Sequence, residues 1–244
     1  MTLLSINLNK FALIRNSRNE NKPDLIDICK KCIKYGAGGI TVHPRPDERH
    51  TKYSDLKKLS STIKKHKKNI EFNIEGYPSK KFCNLVYQIK PDQVTLVPDP
   101  PGAITSSFGW DCNKNKNFLK KIVKKFQSKK IRVSIFINPN IRTLENLNEI
   151  GSDRVELYTY KYAKEYSKKK YKIIKDYKKT YDYINLNTNI KINAGHDLNL
   201  DNLKFFLKKL PSIKEVSIGH AIVCDSLEYG LEKTIYKYLK IIRN

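Results

Sequence analysis

The chain alternates between two patterns of apolar residues. In short segments every second residue is apolar, which is typical of β-strands. In longer segments apolar residues recur about every three to four positions, which is typical of amphipathic helices. The predicted strands are Leu3–Leu8, Gly39–Pro44, Asn69–Ile74, Gln93–Pro98, Arg132–Ile137, Arg154–Thr159, Asn189–Ala194 and Glu215–His220. The helices predicted to follow them are Asp24–Tyr35, Ser54–His66, Ser79–Gln88, Lys116–Gln127, Thr143–Ile150, Ala163–Tyr183, Leu200–Lys209 and Ala221–Ile242.

Eight strand-helix units in succession favour parallel pairing with right-handed crossovers, and eight such units close a (βα)8 barrel. The length of 244 residues suits one such barrel or two small domains. We therefore expect an α/β protein in which residues 1–244 form a single (βα)8 TIM-type barrel domain with extra short helices. An open, doubly wound parallel sheet is the alternative architecture.

The parity of the strands indicates what lines the barrel, because alternate residues of a barrel strand face either the helices or the lumen. In the first predicted strand Leu4 and Ile6 share one face, whereas Ser5 and Asn7 share the other. The same split recurs in other strands. If the apolar parity packs under the helices, the lumen is rich in Asn, His and Glu. A carboxylate buried there must pair, bind a ligand or shift its pKa.

Four of the five histidines follow predicted strands closely, at the end of a barrel where substrates bind. They are His43, His50, His196 and His220. Only His66 falls elsewhere, in a Lys-rich helix. Because an imidazole titrates near neutral pH, these histidines are candidate acid-base groups, with a structural role as the alternative for each.

Two glutamates, Glu71 and Glu156, occupy lumen-facing positions and are candidates for acid, base or electrostatic roles. The alternative is a buried ion pair with Lys191 or Arg154. Glu75 has the same parity as Glu71, but it lies further along and is expected to be more exposed, so it receives no role.

Candidate phosphate-binding groups also follow the predicted strands. Glycines in the segments 193–197 and 218–222 allow a ligand to approach the backbone, and a helix that starts there offers free N–H groups. Half of the eight arginines lie in the loops after the first two strands, and guanidinium groups suit phosphate. These arginines are Arg15, Arg18, Arg45 and Arg49. The pattern predicts a substrate, or a pair of substrates, with two phosphates.

The net charge of +24 arises from 48 Lys and Arg against 24 Asp and Glu, which by itself would suggest a polyanionic partner. Most of these cations are lysines, spread over predicted helix surfaces from Lys57 to Lys240 rather than concentrated on one element. We therefore interpret them as solvated faces and expect no nucleic-acid partner, with nucleic-acid binding kept as an alternative. A hydrophobic content of 39% excludes a disordered chain.

Metal, nucleotide and membrane sites are not expected. Cys29 and Cys32 lie one turn apart in a predicted amphipathic helix, without a second pair to complete a zinc site. No spacing of histidines suggests metal ligation, and no nucleotide-binding glycine motif is present. The first residues resemble no signal peptide and no apolar run reaches the length of a membrane span, so we expect a cytoplasmic protein.

Seven motifs, in order over nearly the whole chain, together resemble the pyridoxine 5′-phosphate synthase family. They are 7–18, Gly39–His50, Asn69-Ile70-Glu71, Leu96-Val97-Pro98, Val155–Thr159, Asn193–His196 and Ile218–Ile222. The resemblance implies condensation of 1-deoxy-D-xylulose 5-phosphate with 3-amino-2-oxopropyl phosphate, with release of phosphate and water and without a cofactor.

The resemblance also implies roles for individual residues. His43 and Glu71 would accept protons, His196 would donate one, and Glu156 would stabilise a charged transition state. The residues implied for the amino ketone phosphate are Asn7, Arg18, Gly219 and His220. Those implied for deoxyxylulose phosphate are Asn9, Lys10, Arg45, His50 and Thr105. The family is octameric and closes a loop over its ligands, here about 99–111 with Gly102 and Gly109 as hinges.

Three departures from the family pattern concern the expected site. Asn9-Lys10 stands where many members have Asp-His, Tyr160 stands where Gly is common, and Asp197 follows His196 where Gly is frequent. A carboxylate that faced a bound phosphate would be unfavourable, so Asp197 is left out of the binding set. The alternative enzyme is another phosphosugar barrel, an isomerase or an aldolase. An aldolase needs a lysine in the lumen, for which Lys191 is the candidate.

Overall fold

Eight parallel strands close into a barrel in which each strand pairs with the next along the chain and β8 pairs with β1. The computed structural model describes residues 1–18, 20–66, 70–99 and 106–243. The strands are β1 (Leu3–Asn7), β2 (Gly39–Val42), β3 (Glu71–Gly76), β4 (Gln93–Leu96), β5 (Arg132–Ile137), β6 (Arg154–Tyr158), β7 (Lys191–Gly195) and β8 (Glu215–Ile218). The predicted barrel is confirmed, and the β1–β8 pairing excludes an open sheet.

The helices form the outer layer, as expected, with two additions. They are α1 (Asn9–Asn16), α2 (Leu25–Lys34), α3 (Tyr53–Lys65), α4 (Lys80–Ile89), α5 (Lys116–Gln127), α6 (Leu147–Ile150), α7 (Tyr160–Asn187), α8 (Leu203–Lys209), α9 (His220–Tyr229) and α10 (Leu231–Arg243). The prediction missed α1, and the single helix predicted over 221–242 is α9 and α10. They separate at Gly230, whose φ of 77° is accessible to glycine but ends a helix.

The apolar strand positions pack under the helices, as their parity predicts. Leu4, Ile6, Ile40 and Val42 are at most 1% exposed and belong to one hydrophobic core between barrel and helices. Because the strand side chains and the helix side chains that meet between barrel and helices are both apolar, water is excluded from the outer face of the sheet.

The opposite parity fills the middle of the lumen with polar side chains that bond to one another. Ser5 Oγ lies 2.8 Å from Thr41 Oγ1, Asn73 donates to Thr41 Oγ1 at 3.3 Å, and Thr95 donates to Asn73 at 3.1 Å. These bonds satisfy groups that would otherwise be costly to bury. They also separate two mouths of the barrel, each with its own charged groups.

The amino-terminal mouth holds a cluster of ion pairs. Arg154 Nη1 contacts Glu215 at 2.9 Å and Glu71 at 3.4 Å, and Arg132 also pairs with Glu71. Glu215 also accepts hydrogen bonds from Gln93 of β4 at 3.2 Å and from Asn193 of β7 at 3.0 Å. The four elements β3, β5, β6 and β8 are therefore cross-linked electrostatically at the mouth opposite to the expected site.

Candidate active site

A cavity of about 390 Å³ opens at the carboxyl ends of the strands. It is lined by Asn7, Asn9, Lys10, His43, Arg45, His50, Glu75, Val97, Ser106, Phe136, Glu156, Tyr160, His196, Asp197, Ser217, Gly219 and His220. Most of the side chains singled out in the sequence lie here, because the carboxyl ends of parallel strands meet at one end of a barrel.

Several expected residues lie elsewhere. Arg18 is exposed beyond the end of α1 and does not line the cavity. Thr105 and Gly102 fall outside the described residues. Lys191, the candidate for an aldolase, is exposed at the start of β7, at the amino-terminal mouth. His66, which was not expected at the site, follows α3 and does not line the cavity, as predicted.

The four arginines expected near the phosphates lie in different surroundings. Of the four arginines, Arg45 alone is a cavity residue. Arg15 makes a bidentate ion pair with Asp55 of α3, at 2.8 and 2.9 Å, which anchors α1 to α3. Arg49 pairs with Asp47 at 3.1 Å. The spacing of the arginines in the sequence therefore reflects helix anchoring as well as the cavity.

The assignment of Glu71 to this site is corrected by the structure, which places Glu75 here instead. The tripeptide Asn-Ile-Glu occurs twice in succession, ending at Glu71 and at Glu75. Both glutamates have lumen parity, but they are separated by four residues, or about 13 Å along a strand. Glu71 pairs in register with Gly39 at the start of β2, whereas Glu75 comes level with His43 just beyond the end of β2.

Glu75 and His43 form an acid-base pair in the cavity. Glu75 Oε2 lies 3.8 Å from His43 Nδ1 and accepts from Asn7 Nδ2 at 3.4 Å. Burial raises the pKa of Glu75 to about 8, and the nearby Glu215 and Asp99 carboxylates add to this. Burial lowers the pKa of His43 well below its usual range, helped by the cations Arg45 and Arg49 and by His50. The pair thus holds one proton on the carboxyl at neutral pH, beside a neutral imidazole.

The loop after β2 is attached to the start of α1 through Asn9. Its carboxamide oxygen accepts from the backbone N–H of His43 at 2.9 Å and from Thr51 Oγ1 at 3.2 Å. This positions His43 and brings His50 to the cavity. Burial, Arg45 and Lys10 lower the pKa of His50 to about 4, so this imidazole is neutral at neutral pH.

Glu156 of β6 is a second buried carboxyl of the cavity, only 4% exposed. Burial raises its pKa well above the ordinary value, and Glu75 and Glu215 act in the same direction. Among the described residues Glu156 makes no ion pair. For Glu71 the alternative of an ion pair with Arg154 is realised, at 3.4 Å. A Cβ at position 195 would approach Glu156 Oε1 to 2.1 Å, so a larger residue at 195 would displace the carboxyl from its present position.

Arg45 is oriented by a buried carboxylate. Its Nη2 contacts Asp99 Oδ2 at 2.9 Å, and Ser106 Oγ donates to the same oxygen at 2.8 Å. Arg45 and Asp99 are both 6% exposed. Asp99 and Ser106 flank the residues that lie outside the described part of the chain, so this pair connects the segment after β4 to the cavity.

The sequence analysis gave no role to Glu75 and left Asp197 out of the binding set, and it did not name Ser106, Phe136 or Ser217, yet all five line the cavity. Most of them stand at the end of a strand or directly after one, a signal that was available. Phe136 and Tyr158 pack with ring centroids 5.1 Å apart, and together with Val97 they form a small apolar cluster. The Tyr158 ring of this cluster contacts His196. That cluster could not be predicted from residue type, because apolar lumen residues have no distinguishing pattern.

A pH dependence of stability follows from the raised pKa of Glu75. At a pH well below the ordinary glutamate pKa, Glu75 is protonated in both the folded and the unfolded protein. As the pH rises, the unfolded chain loses this proton first, which lowers the free energy of unfolding. The contribution of Glu75 to stability is lost once the pH passes about 8. We expect Glu75→Gln, which cannot ionise, to gain thermal stability relative to the parent from about pH 5 to pH 9, by at least about 4 °C. Differential scanning calorimetry of the ligand-free proteins measures the difference.

The matched control is Glu228→Gln, at an exposed carboxyl on α9. Its melting temperature is expected to follow that of the parent at every pH. A constant offset between Glu75→Gln and the parent would mean that the Glu75 carboxyl does not keep its proton in the folded state.

Comparison with known proteins identifies relatives over the full length of the chain. The family described as "Pyridoxal phosphate biosynthesis protein PdxJ" matches residues 4–244. The pyridoxine 5′-phosphate synthase of Parabacteroides distasonis is 48% identical over 238 residues, 98% of each chain. That of Cytophaga hutchinsonii is 48% identical over 246 residues, covering 100% of each chain.

Similar solved structures share the barrel alone. A thiamine phosphate pyrophosphorylase from Pyrococcus furiosus has a TM-score of 0.62 at 12% identity, covering 99% of this chain and 95% of its own. A tryptophan synthase from M. tuberculosis has a TM-score of 0.66 at 10% identity, covering 99% and 93%. In the described ranges, no helix has the length and apolarity needed to cross a membrane, and no group of three or more His, Cys, Asp or Glu could hold a metal ion.

Proposed function

The chain belongs to the PdxJ family of pyridoxal phosphate biosynthesis proteins and is a pyridoxine 5′-phosphate synthase, and on that premise we propose how its cavity carries out the reaction. The substrates are 1-deoxy-D-xylulose 5-phosphate and 3-amino-2-oxopropyl phosphate, and the products are pyridoxine 5′-phosphate, phosphate and water. The observation that carries the proposal is one cavity at the carboxyl ends of the strands, lined by several acid-base groups, four of which are proposed to act on protons or charge in the reaction. These are His43, Glu75, Glu156 and His196.

The pair of His43 and Glu75 is the proposed proton acceptor and donor at one wall. Ring closure from an amine and a ketone requires imine formation, enolisation and loss of water, and each step moves a proton. A neutral imidazole beside a protonated carboxyl, 3.8 Å apart, can take one proton and give another without a net change of charge. Glu75 replaces Glu71 in this role because Glu71 lies at the other mouth.

Glu156 and His196 form the opposite wall. Burial raises the pKa of Glu156 well above its ordinary value. In its protonated form this carboxyl is proposed to donate a hydrogen bond to a developing oxyanion, and once ionised to stabilise a cation. His196 follows directly at the end of β7 and is the proposed proton donor. Acid-base groups on two sides of the cavity can transfer protons to and from different atoms of one bound intermediate, as successive addition and elimination steps require.

The phosphate groups are proposed to bind on two sides of the cavity. For the amino ketone phosphate the proposed site is the amino end of α9, where Gly219 and His220 present backbone N–H groups beside Asn7. A Cβ at position 219 would come within 3.1 Å of Asn7, so glycine keeps this approach open. For deoxyxylulose phosphate the cations Arg45 and Lys10 are proposed, with Asn9 and His50.

Further properties are proposed on the same premise. Arg18, which does not line the described cavity, and Thr105, which lies outside the described residues, are proposed as phosphate-binding residues in line with the family. The assembly is proposed to be an octamer in the cytoplasm, in line with the family. No cofactor is assigned a place in the reaction.

The direct test mixes the purified protein with both phosphorylated substrates, without added metal or nucleotide. Pyridoxine 5′-phosphate and one equivalent of inorganic phosphate should form together, and omission of either substrate should abolish both. Product is followed by absorbance and by chromatography. Absence of product at every pH between about 6 and 9 would contradict the proposed function.

A further inference from the structure

The turn that follows β7 has an unusual backbone. His196 and Asp197 are consecutive non-glycine residues with positive φ, 86° and 60°. Such a conformation is costly for side chains other than Asn, Asp and Gly, and it persists where surrounding bonds hold it. Here Thr159 Oγ1 donates to the carbonyls of Gly195 and His196, and Asn202 Nδ2 donates to the carbonyl of Asp197 at 3.2 Å.

The turn brings the two side chains into contact. Asp197 Oδ2 lies 3.3 Å from His196 Nδ1. The Tyr158 ring meets the imidazole edge-on with centroids 4.9 Å apart, and the Tyr160 ring does so at 6.3 Å. These two tyrosines stack on each other at 6.0 Å. The imidazole is therefore held by a carboxylate at Nδ1 and by aromatic rings beside it.

We propose that Asp197 is a positioning residue for His196 in the reaction proposed above. Its carboxylate accepts the Nδ1–H of the imidazole, which sets the orientation of the ring and leaves Nε2 as the nitrogen that exchanges a proton with the substrate. The inference rests on the proposed function. It accounts for a carboxylate in a cavity that binds phosphates, because the negative charge is directed at the imidazole.

The charges around the carboxylate support this arrangement. The hydrogen bond from His196 lowers the pKa of Asp197, and His220 on α9 and Lys10 on α1 act in the same direction. Asp197 is thus an anion across the neutral range. On the side of β6, burial and then the Asp197 carboxylate raise the pKa of Tyr158 to about 12, so its phenol stays neutral. Tyr160 on α7 completes the groups that face the pair.

Two replacements at position 197 separate positioning from turn geometry, because glycine and asparagine both adopt a positive φ. Asp197→Gly is expected to lower kcat by about 10- to 100-fold while both KM values stay within about threefold. Asp197→Asn, whose carboxamide oxygen can still accept from Nδ1–H, should restore part of that loss. An unchanged kcat in Asp197→Gly, or a fall in KM for a phosphate substrate without a loss of kcat, would overturn the inference.

A measurement without substrate distinguishes this inference from the proposed function. In protein labelled with carbon-13 at the Asp carboxyls, the NMR titration of Asp197 should give a pKa below the ordinary value. In His196→Asn, which also tolerates positive φ, the pKa should rise towards that value. The same pKa in both proteins would refute the pair whatever the reaction. Failure of the parent to form product, with the pair intact, would refute the proposed function alone.

Discussion

Replacement of Glu75 by glutamine is expected to lower kcat by about 10²- to 10⁴-fold, whereas the same replacement four residues earlier, Glu71→Gln, should leave kcat within about threefold. The reason is position along β3. Glu75 faces His43 in the cavity, while Glu71 faces Arg132 and Arg154 at the opposite mouth. Glutamine keeps the size of the side chain but cannot exchange a proton. Steady-state rates of phosphate release with both substrates measure the difference.

The two variants control for each other, since each places glutamine in the same strand with the same parity. Circular dichroism and gel filtration should show that both fold. The assignment of Glu75 would be refuted by a normal rate in Glu75→Gln. A large loss of kcat in a folded Glu71→Gln would instead mean that the amino-terminal cluster communicates with the cavity, which the structure gives no reason to expect.

Replacement of Arg154 by methionine is expected to destabilise the protein by about 3 to 5 kcal/mol and to lower the melting temperature by roughly 10 °C. Arg154 is the partner of Glu215, whose side chain is 3% exposed, and Glu71 is also within its reach. Without the guanidinium, Glu215 loses its ion-pair partner and keeps only the hydrogen bonds from Gln93 and Asn193 and the more distant charge of Arg132. Methionine keeps most of the apolar length of the side chain, so the loss reports on charge rather than on packing.

The deficit of Arg154→Met should grow as the pH rises. Burial already raises the pKa of Glu215, and Arg154 is the main group that lowers it again. Without Arg154 the pKa of Glu215 rises further. At low pH the carboxyl is then protonated and the loss of stability is small. The full loss of stability is reached only once the pH exceeds the raised pKa. Chemical denaturation at about pH 5 and pH 8 tests the sign.

Lys191→Met provides the control at the same mouth, because Lys191 is exposed there. Its free energy of unfolding should stay within about 0.5 kcal/mol of the parent. Equal losses in Lys191→Met and Arg154→Met would show that the general charge of the mouth matters and that the Glu215 pair does not.

Much of the barrel could be predicted from short-range pattern. The alternation in β1 and β2 placed Leu4 and Ile6 under the helices and Asn7 and His43 in the lumen, and the structure has them there. The amphipathic spacing identified α5 with its observed bounds. In contrast, α1 was missed, because its eight residues bury only Phe11, Ala12 and Arg15 and present a weak apolar stripe.

Much of the cavity could be predicted as well, because the functional residues of a parallel barrel lie at or just after the carboxyl ends of its strands. His43, His50, His196 and His220 do line one cavity. The error at Glu71 has a specific cause: a repeated Asn-Ile-Glu within one strand offers two glutamates of identical parity. Residue type and period cannot choose between them. The use of Arg15 to anchor α1 to Asp55 was also beyond reach, since the partner is 40 residues away.

The sequence by itself determined the succession of eight strand-helix units and which face of each strand is polar, because side-chain parity and helical periodicity depend on neighbours a few residues apart. Closure into a barrel was decided by the tertiary structure, through the pairing of β8 with β1. Only the tertiary structure decided how high each lumen side chain sits along the barrel axis. That height follows from the register between strands, such as Gly39 opposite Glu71, which is set by closure of the whole ring. Register therefore separates the mouth where Glu71 and Glu215 pair with arginines from the mouth where Glu75 lies beside His43.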